Sequence, residues 1–222
     1  MPRTLACGVA AVAGLMACAD GARAEKLSAS DEMRSTLRRV VRCATDDNTF
    51  FKKGNGVVQI LQSKPAGKPF EQLYINIQNC LRRSNYDGRW IASMQFSSEL
   101  LRGQVYRSIV LGGWGTKTRV NYASDFRAVA AAPRTGTTNP LGAFGVCVAH
   151  LDPVNALGAI SGPVAGPREV DAYRALGPAL STCVAPGQQI KFSKQVLEGL
   201  IAEGLFVARF AAEDRTRTRR QQ

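Results

Sequence analysis

Phe70-Glu71-Gln72-Leu73-Tyr74-Ile75-Asn76-Ile77-Gln78-Asn79-Cys80 stands against Tyr173-Arg174-Ala175-Leu176-Gly177-Pro178-Ala179-Leu180-Ser181-Thr182-Cys183 in the same chain. In both segments large apolar residues approach a cysteine at the same intervals: Phe70, Leu73, Ile77 and Cys80 against Tyr173, Leu176, Leu180 and Cys183. Steps of three, four and three put all four residues on one face of a helix. An apolar helix face ending in a cysteine, written twice, predicts a duplicated helical unit.

The match extends in both directions. Cys43 precedes Cys80 by 37 positions and Cys147 precedes Cys183 by 36. Downstream, Met94-Gln95-Phe96-Ser97 matches Ile190-Lys191-Phe192-Ser193, and then Leu100, Leu101, Gly103 and Val105 match Val196, Leu197, Gly199 and Ile201. The offsets between copies are 104, 103 and 96. Constant order with small insertions, at a period of about 100 residues, is the pattern of a doubled domain rather than a short solenoid repeat. The expected fold is mostly all-α, two diverged copies of a disulfide-clamped helical unit of about 70 residues each.

The chain has 222 residues, 45% of them hydrophobic and 21% charged, which is enough apolar material to fold. Its start reads as an export signal over residues 1–24. Arg3 supplies the positive end, Leu5 to Ala19 is free of charge, and Ala22-Arg23-Ala24 offers small residues for cleavage after Ala24. The competing reading takes Leu15-Met16-Ala17-Cys18 as a lipoprotein box with Cys18 lipidated, although Met16 fits that box poorly. No later apolar run reaches membrane-spanning length, so no transmembrane helix is expected. The predicted compartment is the periplasm or the exterior.

Of six cysteines, Cys7 and Cys18 fall in the signal, leaving Cys43, Cys80, Cys147 and Cys183. Four cysteines allow three pairings. The repeat selects Cys43 with Cys80 and Cys147 with Cys183, each closing a loop whose chain-entropy value is about 4 kcal/mol. A zinc site fits less well: there is no Cys-x-x-Cys and a single histidine, His150. The disulfide also removes Cys147 as a thiol nucleophile, and His150 is then expected at the surface.

The first unit spans 25–110, a Gly/Thr/Pro-rich linker 111–140, the second unit 141–212 and a basic tail 213–222. Helices are predicted from Asp31 to Ala44, with Met33, Leu37, Val40, Val41 and Ala44 inward and Arg34, Arg38, Arg39 and Arg42 on other faces, and from Pro69 to Leu81. Ser97 is placed to cap a helix reaching Val110. In the second unit helices are predicted over Pro153 to Ile160, over Pro167 to Val184, and from a Ser193 cap to Ala212, with a frayed end beyond. A short extended segment is predicted before each capping serine.

Charge is unevenly shared. Lys and Arg number 29 against 17 Asp and Glu, net +12. Residues Arg34 to Val110 hold 13 basic and 5 acidic side chains, whereas Leu141 to Phe210 hold 5 and 5. If either unit meets an anionic partner, the first is expected to.

Recognised catalytic patterns are missing. Gly112 to Thr118 has the flavour of a phosphate loop, but Thr116 interrupts the spacing it requires; Asp46-Asp47-Asn48 offers too few ligands at the right intervals for calcium. His-Glu-x-x-His, Gly-x-Ser-x-Gly and Ser-x-x-Lys do not occur. No cofactor or metal is expected. The feature that stands out is an insertion: Cys80 to Phe96 is 16 positions against 9 for Cys183 to Phe192. It carries Arg82, Arg83, Tyr86, Arg89 and Trp90, which supply forked cations and stacking rings. These five are the candidate binding surface; the plainer reading has Trp90 closing the core edge and the arginines solvating the loop.

Ala175-Leu176-Gly177-Pro178-Ala179-Leu180-Ser181-Thr182-Cys183, with Gly187-Gln188 and Ile201-Ala202-Glu203-Gly204-Leu205, resembles segments of uncharacterised exported proteins of sphingomonad-type alphaproteobacteria. That resemblance implies a compartment and brings no catalytic residues. The expected function is a non-enzymatic binding or interaction module of the cell envelope. Its partner would be an anionic envelope component or another envelope protein; nucleic acid is not expected. The alternatives are an envelope-acting hydrolase with an unidentified carboxylate site, and a lipid-anchored structural protein.

Overall fold

The computed structural model describes residues 28–46, 55–62, 67–84, 97–112 and 140–220. The signal region with Cys7 and Cys18, residues Tyr86, Arg89 and Trp90, the segment Met94 to Phe96 and residues 113–139 of the linker lie outside these.

Every element among the described residues is helical. The first unit contributes α1 (Ala29–Asp46), α2 (Asn55–Gln62), α3 (Lys68–Arg83) and α4 (Ser98–Val110). The second contributes α5 (Pro140–Leu151), α6 (Pro153–Ser161), α7 (Pro167–Ala175), α8 (Gly177–Thr182) and α9 (Lys194–Arg220). Both expected disulfides are present: Cys43–Cys80 joins α1 to α3 with a Cα–Cα separation of 6.1 Å, and Cys147–Cys183 joins α5 to the end of α8 at 5.8 Å.

Local chemistry sets the helix ends. Ser28 Oγ accepts from the amide of Asp31, Ser97 Oγ from Leu100 and Ser193 Oγ from Val196, each satisfying an amide that has no partner inside the first turn. Asp152 caps α6, and Pro153 follows it; the axis turns by 112° between α5 and α6. No single helix among the described residues is long and apolar enough to cross a membrane, although α5 and α6 together pass by composition at that bend.

Four expectations change. The helix predicted over Pro167 to Val184 is two helices meeting at Leu176, because Pro178 has no N–H to continue the ladder, whereas Ile75 holds the matching place in the unbroken α3. Helices α2 and α5 are additional. The last helix runs to Arg220 instead of ending near Ala212.

The core is one cluster shared by both units, from Leu37, Val41, Ile60, Leu73 and Ile77 to Val148, Ile160, Leu176, Ile201 and Phe206. Its centre is α9, which packs on α4 and α5. Gly103 of α4 and Gly199 of α9, counterparts in the repeat, face each other: a Cβ added to Gly103 would lie 2.5 Å from Gly199 Cα, and one added to Gly199 would lie 3.0 Å from Gly103 Cα. This reciprocal contact is what two related surfaces make when they meet face to face. Farther along α9, a Cβ added to Gly204 would overlap the Gly145 carbonyl of α5, and one added to Gly145 would overlap the Leu200 carbonyl of α9. Tyr106 and Phe206 pack with ring centres 4.9 Å apart.

Candidate functional site

Three places concentrate functional side chains: the end of α3, a buried ionic seam between the units, and a cavity beside that seam.

At the end of α3, Arg82 and Arg83 are exposed in the last turn, just beyond Cys80. Cations suit this end, where the helix dipole is negative and the final carbonyls face outward. The Cys43–Cys80 bridge fixes that end to α1. Of the five residues of the predicted surface, these two are placed; Tyr86, Arg89 and Trp90 belong to the residues outside the description.

In the seam Arg34 and Arg38, expected off the apolar face of α1, are nonetheless buried. Arg34 is 1% exposed and Arg38 8%, and both reach from α1 into the second unit. Arg34 grips Glu169 of α7 with two parallel bonds, Nη1 to Oε1 at 2.9 Å and Nη2 to Oε2 at 2.7 Å, and its Nη2 also donates to Asp31 at 2.9 Å. Arg38 donates through Nη2 to Glu169 Oε1, through Nε to Glu198 Oε1, both at 2.7 Å, and through Nη1 to the Gly162 carbonyl at 2.8 Å. Arg107 of α4 completes the set: its Nε lies 2.8 Å from both Glu198 Oε1 and the Ile160 carbonyl. The amide of Ala165, held at φ 57°, donates to Glu169 Oε2. Among the described residues three arginines thus meet three carboxylates, Asp31, Glu169 and Glu198, and their charges balance.

Neutrality makes burial tolerable, since an unpaired charge in this interior is costly. Burial pulls the Arg34 guanidinium down, but hydrogen bonding to Glu169 and the nearby charges of Glu169 and Glu198 outweigh it, and Arg34 holds its proton more tightly than usual. Arg107 moves the other way, to about 10, through burial first and the neighbouring Arg38 second. The Tyr173 hydroxyl, buried and without a hydrogen-bond partner among the described residues, is pushed well above the ordinary phenol range by burial and then by Glu198. Asp31 is held below its usual value chiefly by the hydrogen bond from Ser28, which burial opposes.

The repeat explains why the seam is one-sided. Glu198 occupies in α9 the place that Arg102 occupies in α4, and Tyr173 the place of Phe70. In the first unit Arg102 lies over the Phe70 ring, 5.4 Å from its centre. In the second, the charge is reversed and faces the α1 arginines instead. Part of the first unit's basic excess is therefore spent on carboxylates of the second.

A cavity of about 380 Å³ opens against the seam, lined by Arg42 of α1, Arg107 and Ser108 of α4, Leu111 and Gly112 beyond it, and Ser161 at the end of α6. Gly112, the first residue of the loop-like Gly112 to Thr118, adopts φ 84° here; the rest of that stretch lies outside the described residues. Cys147 is in its disulfide, and His150 is exposed in the last turn of α5. Among the described residues no group of three or more His, Cys, Asp or Glu side chains has the geometry of a metal site.

Sequence missed the seam because its partners are 135 and 160 residues apart. The available signal was a pair of glutamates beside apolar helix positions, Glu169 near Ala172 and Tyr173 and Glu198 near Ile201 and Ala202. Together, fold and seam define an all-α protein of two disulfide-clamped units. No family model, curated protein or solved structure matches the chain.

Proposed function

We propose that the chain is an exported, non-enzymatic binding or interaction protein of the cell envelope, whose first unit presents the contact surface to an anionic envelope component. The observation that carries this reading is the exposed pair Arg82 and Arg83, mounted on a helix end that a disulfide fixes. A forked cation on a fixed support recognises phosphate or carboxylate with less ordering cost than one on a free loop. The insertion that follows adds Tyr86, Arg89 and Trp90 to the same stretch of chain.

Two further observations support it. The two disulfides fit a protein of an oxidising compartment, periplasmic or extracellular. The buried carboxylates Glu169 and Glu198 are each held by arginines, an arrangement that suits a latch better than the proton shuttling a hydrolase requires.

The test uses the protein from residue 25 onward with phosphatidylglycerol vesicles and with lipopolysaccharide, at low and high salt. The wild type is expected to co-sediment at low salt and to be released as salt screens the contact. Arg82→Glu combined with Arg83→Glu is expected to lose most of that binding, because two attractive charges become repulsive ones. Retention that ignores both salt and the two substitutions removes the proposal. Attachment through a lipidated Cys18 is the competing view of the N-terminus, and fatty-acid labelling that survives in the wild type and disappears in Cys18→Ser would establish it.

A further inference from the structure

The cavity at the seam is lined by side chains that share one chemistry. Arg42 and Arg107 bring guanidinium groups, Ser108 and Ser161 bring hydroxyls, and Leu111 supplies an apolar wall. Among the described residues the buried Ser161 hydroxyl has no hydrogen-bond partner, which leaves a donor and acceptor open toward the cavity. Among the described residues Arg107 reaches Glu198 and the Ile160 carbonyl through Nε, so the two Nη groups of the fork are its remaining donors. Positive charge is also crowded here: the Nε atoms of Arg38 and Arg107 share a single oxygen, Glu198 Oε1, at 2.7 and 2.8 Å.

We infer that this cavity is a binding site for a small organic anion, a phosphate or carboxylate group carried on a compact apolar body. The anionic head would take the guanidinium donors and the Ser161 hydroxyl, and the body would lie on Leu111. At about 380 Å³ the space is in the range of small-molecule sites, roughly 300–1,000 Å³. An anion there would relieve what burial and Arg38 now impose on Arg107. Arg82 and Arg83 are not among its lining residues, and the site does not depend on the envelope contact proposed for them.

Phenyl phosphate is the probe, with inorganic phosphate to test the head alone and benzyl alcohol to test the body alone, read by thermal shift and by calorimetric titration. The wild type is expected to be stabilised in a saturable way by phenyl phosphate, less by inorganic phosphate and not by benzyl alcohol. Ser161→Val, which fills the cavity and removes the hydroxyl, and Arg42→Gln are each expected to weaken phenyl phosphate about tenfold, the value of one hydrogen bond to a charged group. Circular dichroism without ligand confirms that each variant is folded, and two variants on different helices guard against the loss of either. Arg82→Glu with Arg83→Glu is expected to leave the affinity unchanged. The inference is overturned if phenyl phosphate gives no saturable effect, if both cavity variants bind as the wild type does, or if binding is lost only with Arg82 and Arg83.

Discussion

Arg34 and Glu169 form a two-point contact across the two units, with both guanidinium ends engaged and both side chains about 1% exposed. Glu169→Gln leaves Arg34 and Arg38 buried with less than full compensation, and a loss of about 3–5 kcal/mol is expected in urea unfolding. Replacing the pair by apolar residues, Arg34→Met with Glu169→Leu, is expected to recover a large part of that loss, because the cost lies in the stranded charge and not in the missing attraction. Asp31 gives a pH signature. Its carboxyl is held below the usual 3.8, so its contribution is fully present above that value and disappears as the pH falls through the lowered folded value. The melting temperatures of the wild type and Asp31→Asn should therefore differ at pH 6 and converge on acidification. Apart from the glutamates Glu169 and Glu198, little of this was legible at the residue level in the sequence. In α1 the arginines stand beside Leu37 and Val41 with nothing local to mark them as buried, and the carboxylates that neutralise them come from the other unit.

Helix α9 shows how small residues set the distance between elements. Gly103 against Gly199 and Gly145 against Gly204 bring backbones together where any Cβ would collide. A Gly→Ala change in an exposed helix gains up to about 1 kcal/mol from propensity. Here Gly103→Ala, Gly145→Ala and Gly204→Ala are each expected to destabilise by about 1–3 kcal/mol, since the helices must separate or bend. Chemical denaturation of the three variants checks both sign and size. The pairing of Gly103 with Gly199 was visible as a match between copies, though not as a contact, because a repeat gives equivalence and not proximity. Helix α5, Pro140-Leu141-Gly142-Ala143-Phe144-Gly145-Val146-Cys147-Val148-Ala149-His150-Leu151, went unread for another reason: it is apolar on nearly every side, so it has no face for periodicity to reveal.

At the scale of the whole molecule, the cysteine pairing and the all-helical duplication were legible because both are written in spacing that survives divergence. What spacing could not give is how the units join. Removing either bridge, as Cys43→Ala with Cys80→Ala or Cys147→Ala with Cys183→Ala, is expected to cost about 4 kcal/mol from the closed-loop entropy. In a chain whose units share one core and a neutral ionic seam, that loss should lower the stability of the entire protein and not of one half. Differential scanning calorimetry of the oxidised protein tests this union most directly. A single unfolding transition is expected, in which the calorimetric and van't Hoff enthalpies agree, shifted down as one peak in Glu169→Gln. Two resolved transitions in the wild type, with Glu169→Gln moving only one of them, would contradict it.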